Sequence, residues 1–205
     1  MTTKKTFARL IVLPAMLVSL TATAATEFDQ PGDGPFFGET ANGQWLIGGK
    51  YAEMLNRDDG LESSNNAGII LGYEFNRPVW KGKAAFEFQY LPSSSDGDVN
   101  GAGDSDPSIY PQGGVWENPL YSGYVAYRTP GSVLYGKAKV GIVASRFKIS
   151  LNDGSVVQEN KTQIGYGLGL GVHIGRHFDL ELEYEGNQGK SQLYDFGINA
   201  IVKLP

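Results

Sequence analysis

The sequence predicts an all-β protein, an eight-stranded antiparallel up-and-down transmembrane β-barrel, and three observations carry that prediction. A two-residue rhythm recurs from Trp45 to Leu204. It is clearest where Ile164, Tyr166, Leu168, Leu170, Val172 and Ile174 alternate with Gly165, Gly167, Gly169, Gly171, His173 and Gly175. Strict alternation places the two sets on opposite faces of a strand. One face is richly apolar and the other small or charged, which suits lipid outside and a narrow polar interior. The connections alternate between short and long, as outer-membrane barrels require. The chain opens with a basic start (Lys4, Lys5, Arg9), an apolar run from Leu10 to Leu20 and a small-x-small site at Ala22-Thr23-Ala24. That is the pattern of a secretory signal peptide over residues 1–24, too short for a spanning helix.

Composition narrows the class further. There is no cysteine, so an exported chain of this kind has no disulfide framework, thiol nucleophile or thiolate metal site. Loss of Lys4, Lys5 and Arg9 with the leader takes the formal net charge from −5 to −8. An acidic chain lacks the basic surface that phosphate binding needs, so nucleic acid is not an expected partner.

Residues 25–43 are rich in Gly, Pro and acidic residues and read as an irregular lead, with the barrel domain following over 44–205. Eight segments follow, each near the roughly 9–11 residues of a tilted membrane strand. The first, about Gln44 to Met54, puts Trp45, Ile47, Gly49 and Tyr51 outward and Lys50 inward. The second, about Asn66 to Asn76, puts Ala67, Ile69, Leu71, Tyr73 and Phe75 outward and Glu74 inward. The third, about Gly82 to Leu91, turns Ala84, Phe86, Phe88 and Tyr90 to lipid and Lys83, Glu87 and Gln89 to the lumen. The fourth, about Glu117 to Arg128, turns Tyr121, Gly123, Val125 and Tyr127 outward.

The fifth segment, about Val133 to Phe147, places Lys137 and Lys139 inward. The sixth is the glycine-striped strand, whose inward glycines make room for long neighbours. The seventh, about His177 to Glu185, alternates outward Phe178, Leu180, Leu182 and Tyr184 with inward Asp179, Glu181, Glu183 and Glu185. The eighth, about Gln192 to Leu204, points Tyr194, Phe196, Ile198, Ala200, Val202 and Leu204 outward. Short turns fall at Arg77–Val79, Arg128–Gly131 and Gly175–His177, and external loops at Leu55–Asn65, Pro92–Gly114, Lys148–Lys161 and Gly186–Ser191. Trp45, Phe75, Trp80, Tyr90, Trp116, Tyr127, Phe178 and Tyr194 lie near strand ends, where interfacial girdles belong.

Several short segments, in order and spacing, resemble the OmpA-like eight-stranded outer-membrane barrel domain over roughly Gln44 to Leu204. They are Trp45-Leu46-Ile47-Gly48-Gly49-Lys50, Gly72-Tyr73-Glu74-Phe75-Asn76, Phe86-Glu87-Phe88-Gln89-Tyr90, Tyr135-Gly136-Lys137 with Gly141, Gly171-Val172 and Leu182-Glu183-Tyr184. The resemblance implies a fold shared by envelope anchors, narrow gated channels, adhesins and phage receptors. It places Glu87 and Glu183 at two lumenal carboxylate positions of a plug or gate, with Tyr124 where a basic partner of the second would stand. No peptidoglycan-binding domain follows the last strand, so a wall-anchor role is not expected. The terminal Lys203-Leu204-Pro205 departs from the aromatic end usual in such barrels.

The candidate site is a lumenal ion cluster of Lys50, Glu74, Lys83, Glu87, Lys137, Lys139, Glu181, Glu183 and Glu185. Buried charges are tolerated only when paired and hydrogen-bonded, and an eight-stranded barrel is just wide enough for side chains to fill. His173 points inward but lacks the His-x-Ser signature of lipid-modifying barrel hydrolases, being followed by Ile174-Gly175. No catalytic residue and no cofactor are expected. Asp96-x-Asp98-x-Asn100-Gly101 with Asp104 opens like a calcium loop, but Pro107 stands where a bidentate Glu belongs, which makes a weak calcium candidate at most.

The expected function is an outer-membrane structural or envelope-integrity role, with slow passive permeation through a salt-bridge-plugged lumen. A surface adhesin or receptor is the alternative, and a lipid A-modifying enzyme the third. Expected partners are outer-membrane lipid and lipopolysaccharide and the barrel assembly machinery, with the chain a monomer.

Overall fold

The computed structural model describes residues 43–56, 60–105, 108–188 and 193–204. The expected signal peptide over 1–24 lies outside these, as does the expected lead over 25–43 apart from Gly43. Among the described residues eleven strands form: β1 Gly43–Asn56, β2 Ser64–Phe75, β3 Lys83–Leu91, β4 Ser93–Ser95, β5 Gly97–Val99, β6 Gly114–Glu117, β7 Leu120–Arg128, β8 Leu134–Leu151, β9 Val156–Ile174, β10 Phe178–Asn187 and β11 Leu193–Leu204. Eight of them, β1, β2, β3, β7, β8, β9, β10 and β11, close on themselves through antiparallel neighbours. Closure is made where β1 meets β11, from Trp45↔Leu204 to Asn56↔Leu193. Among the described residues no helix is long and apolar enough to cross a membrane, and the strands supply the crossing.

Side-chain parity follows the sequence pattern. Ile47, Ile69, Phe86, Val125, Ile142, Leu168, Leu182 and Ile198 are exposed on the outer wall, while Lys50, Glu74, Glu87, Lys137 and Glu183 are buried inside. On the outer wall Trp45, Tyr73, Phe75 and Phe86 form a chain of edge-to-face pairs with centroids 5.2, 5.4 and 5.6 Å apart. Toward the opposite rim Tyr90 stacks on Tyr121 at 4.7 Å and Tyr184 on Tyr194 at 5.6 Å. These are two aromatic belts at the two interfaces. Trp116 belongs to neither. It is fully buried, and its indole N–H donates to the carbonyl of Glu62 at 2.7 Å.

The external segments are more ordered than the loop pattern predicts. The fourth membrane strand begins at Leu120 rather than Glu117, because Pro119 has no amide for the ladder and the chain breaks at Asn118-Pro119. Asn66 stabilises the break by donating to the Asn118 carbonyl at 2.9 Å. The expected loop over Pro92–Gly114 contains β4 and β5, and β5 pairs β6. The expected loop over Lys148–Lys161 is a continued hairpin, paired without interruption to Ser150↔Val156. At its tip Gly154 takes φ +85°, and the Ser155 hydroxyl and amide donate to Asp153, holding that carboxyl below its ordinary range.

Two features tie sequence to packing. A Cβ at Gly169 would lie 2.7 Å from the Leu182 carbonyl and 3.0 Å from Glu183 Cγ, so the glycine stripe is what lets long lumenal side chains fit. The first short turn is tipped by Trp80 and Lys81, with φ 47° and 71°, between mutual hydrogen bonds of Val79 and Gly82 at 2.9 Å. Both central residues occupy the left-handed region that a two-residue hairpin demands and that side chains resist. Lys81→Gly is expected to stabilise the barrel by up to about 1 kcal/mol. Gly169→Val is expected to destabilise it by about 1–3 kcal/mol. Urea unfolding of the barrel in lipid vesicles, followed by tryptophan fluorescence, measures both.

Candidate functional site: the lumenal ion network

β8 and β10 supply most of the site. Lys137 and Lys139 project inward at successive inward positions of β8, and Asp179, Glu181, Glu183 and Glu185 from β10. Between these two strands runs β9 with its glycines, so opposite charges reach each other across an almost bare strand. Lys137 Nζ lies 2.8 Å from Glu87, 2.8 Å from Glu181 and 2.5 Å from Glu183. Lys139 Nζ lies 2.8 Å from Glu183 and 2.6 Å from Glu185. Lys50, from the far wall, pairs with Glu185, with Asp195 at 2.8 Å and with Glu183 at 3.9 Å.

All nine residues of the expected cluster face this lumen. Eight are buried, and Lys83 sits at the rim with its side chain 46% exposed, 3.1 Å from Glu74. Arg128 was not among them, because the sequence pattern assigns it to a turn. Its guanidinium is buried at the centre, 2.6 Å from Glu87, 3.0 Å from Glu181 and 3.6 Å from Glu74. The signal was present: outward Tyr121, Gly123, Val125 and Tyr127 make Arg128 inward by parity.

Tyr124 donates to Glu185 at 2.8 Å rather than partnering Glu183, whose cations come from β8 and β1. Tyr135 donates to Glu181 at 2.7 Å and Asp179 at 3.0 Å, joining the lower carboxylates to the rest. Among the described residues the network holds seven carboxylates and six cations, Asp179, Asp195 and Lys203 being further members.

His173 stands at the periplasmic mouth. Nδ1 lies 2.7 Å from Asp179 and the ring stacks on Tyr135 at 4.5 Å. Lys203 also approaches, at 3.4 Å. In the acidic loop, Asp98, Asn100 and Asp104 line one open polar cleft of about 380 Å³ together with Gln112 and Asn152, and Asp96 is not among the residues around it. Asp104 accepts from the amide of Gly101 at 2.6 Å, and among the described residues no group of three His, Asp or Glu is arranged to hold a metal.

Above the ions, toward the external rim, lies a buried apolar cap. Met54, Leu91, Val99, Trp116, Leu120, Tyr124, Val143, Ile149 and Leu193 pack as one buried cluster, with Leu61 and Phe147 against it.

A closed barrel with an apolar outer wall, aromatic belts and an ion-filled lumen defines an outer-membrane β-barrel. The chain belongs to the outer membrane protein beta-barrel domain family, whose model matches residues 10–202, and it is an outer-membrane protein. No curated protein matches it. Among solved structures it is similar to Ail, the attachment invasion locus protein of Yersinia pestis. The two share 18% identity over 79% of this chain and 99% of Ail, with a TM-score of 0.55. Neisserial surface protein A is 11% identical over 78% and 97%, with a TM-score of 0.51. The N-terminal barrel of Pseudomonas aeruginosa OprF is 15% identical over 79% and 99%, with a TM-score of 0.50. These likenesses concern the fold.

Removing one partner from a buried, hydrogen-bonded ion network leaves uncompensated charge and costs about 3–5 kcal/mol. Arg128→Leu takes a shared cation from Glu74, Glu87 and Glu181, leaving Lys83 beside the first and Lys137 beside the other two. It is expected to lower barrel stability by that amount, seen as a fall in the urea midpoint with an unchanged slope. Lys83→Leu, at the exposed rim, is expected to shift it by less than about 1 kcal/mol.

Proposed function

We propose that this chain is a sealed scaffold of the outer membrane, contributing to envelope integrity without conducting ions. The observation that carries this reading is the two-tier filling of the lumen. The ion network occupies the membrane-spanning part, and the cap around Trp116 lies over it. An ion passing through would have to displace paired charges and then cross an apolar layer. Slow passive permeation needs both tiers to open together. The chain's contacts in this role are outer-membrane lipid and lipopolysaccharide along the exposed apolar wall, with the barrel itself a monomer delivered by the barrel assembly machinery.

Planar-bilayer recording of the refolded chain tests this. Wild type is expected to give no discrete steps, and Glu87→Ala none either, because the cap persists when one carboxylate is lost. Steps in the wild type, altered by Glu87→Ala, would replace the sealed scaffold with a gated pore.

A second reading, a surface attachment protein, is supported by the ordered sheet that continues above the barrel through β5, β6, β8 and β9. Ordered strands at that position offer a fixed surface instead of a fluctuating loop. Deleting residues 92–114 is expected to abolish attachment to a target cell surface while the barrel still shows its heat-dependent gel shift.

A further inference from the structure

Gly123 faces lipid, and nothing inside the barrel requires a glycine there. A Cβ built on it would meet no atom within 4 Å, whereas one on Gly141 or Gly169 would run into a neighbouring carbonyl. A glycine inside a strand forfeits packing and often marks a place where another surface comes close. Around it Phe88, Val125, Val140 and Ile142 are exposed and line an open apolar groove of about 580 Å³ on the wall of β3, β7 and β8. Arg146 shares the outward face of β8 with Ile142 and stands at the external end of the same wall. Its side chain is exposed, and no carboxylate among the described residues pairs with it, Glu117 being held by Lys148 at 2.9 Å.

The register fixes what stands on the opposite wall. From Val125 the cross-strand pairs run one way through Phe86, Tyr73 and Trp45 to Leu204. The other way they run through Val140, Tyr166 and Gly186 to Tyr194. Each path crosses half the ring, and both end on β11. Strand stagger lifts one path as much as it lowers the other, so the level of Val125 on β11 lies midway, at Asn199. β7 and β11 both descend from the external end, so Gly123 is level with Gly197 and its outward neighbour Phe196. Phe196 and Ile198 are exposed there. Beside them on β1, Glu53 lies opposite Phe196 in the ladder, outward and exposed, with no cation paired to it among the described residues. From Gly49 the two paths reach Ala144 and Leu134 on β8, which sets Glu53 level with Val143. Arg146 is roughly 8 Å higher on a tilted strand, a gap that the two side chains together span.

A wall with a groove and a free cation thus stands diametrically opposite a wall with an apolar ridge and a free carboxylate. Copies in one membrane point the same way, so a sideways shift brings one wall against the other. We infer that copies of this chain pack side by side, Phe196 of one seated over Gly123 of the next and Glu53 of the first paired with Arg146 of the second, so that barrels extend as an open row. A contact between two different faces repeats on every copy, and faces half a turn apart give a row instead of a ring. An acyl chain also fits an apolar groove, but it leaves Glu53 unpaired, and lipid phosphates repel that carboxylate. Apolar burial gains little against lipid, so close packing at a small residue and a polar pair must supply the attraction, and both are placed here. Each barrel remains the closed monomeric unit of the sealed scaffold, and the row adds how such units stand beside one another.

The test refolds the full chain into phosphatidylcholine vesicles at low protein-to-lipid ratio and follows energy transfer between copies carrying donor or acceptor dye. The chain has no cysteine, so Ile109→Cys in the exposed external loop takes the dye. The otherwise unaltered chain is expected to transfer energy well above the level of randomly placed copies. Gly123→Leu has space to fold and fills the groove, and it is expected to lower the excess transfer about threefold or more. Glu53→Arg and Arg146→Glu, each alone, set like charges together and are expected to do the same. The double variant Glu53→Arg/Arg146→Glu restores opposite charges and is expected to recover the original value. The heat-dependent gel shift reports that every variant is folded. Random-level transfer in the unaltered chain would mean that lipid fills the groove, and would overturn the inference. So would a Gly123→Leu or single charge variant that transfers like the unaltered chain, or a double variant that fails to recover. Conductance does not enter this readout, so the sealed-scaffold reading stands or falls separately.

Discussion

Backbone hydrogen bonding in hydrocarbon is the constraint from which the rest of this structure follows. Lipid offers no partner to an amide or carbonyl, so every strand in the membrane must be paired on both edges, and only a closed barrel achieves that. Closure between β1 and β11 therefore precedes every other feature. Once the ring is closed, side-chain parity is fixed for all eight membrane strands. Half of the residues face lipid and must be apolar, and the other half share a lumen too narrow for bulk water but wide enough for long side chains.

That lumen explains why the charges are where they are. Apolar filling would have served stability as well, since buried ion pairs gain little over well-packed hydrophobic residues. The strands here instead carry Lys137 and Lys139 facing Glu181, Glu183 and Glu185 across the glycines of β9. The glycine stripe and the charge cluster form one device. Side chains on β9 would hold the cations of β8 away from the carboxylates of β10. Arg128 ties the β7 wall to the same carboxylates, and Lys50 ties the β1 wall, so the network braces the ring from within.

The external end obeys a different rule. Water is available there, so strands can end, extend or stand with an open edge at no cost in orphaned backbone groups. β8 and β9 extend well beyond their neighbours, and β5 and β6 join them in a small sheet above the cap. The charge-filled lumen and the external sheet thus answer to two different surroundings, hydrocarbon around the first and water around the second.

The alternation of apolar with small or charged residues was sufficient by itself to determine fold class, strand count and the facing of nearly every membrane strand, because lipid enforces a period of two on any strand that crosses it. Nine members of the ion network were legible for the same reason: a charge at an inward position has nowhere else to go. The partners of those charges were not legible. Which lysine meets which glutamate depends on shear between strands distant in sequence, and Arg128 was hidden because it lies at the last residue before a turn. Trp116 reads as an interfacial aromatic by position, yet the break at Pro119 carries it inward over the lumen. The loop over 148–161 has no membrane to enforce its period, so only the tertiary pairing of β8 with β9 revealed it as a continued hairpin.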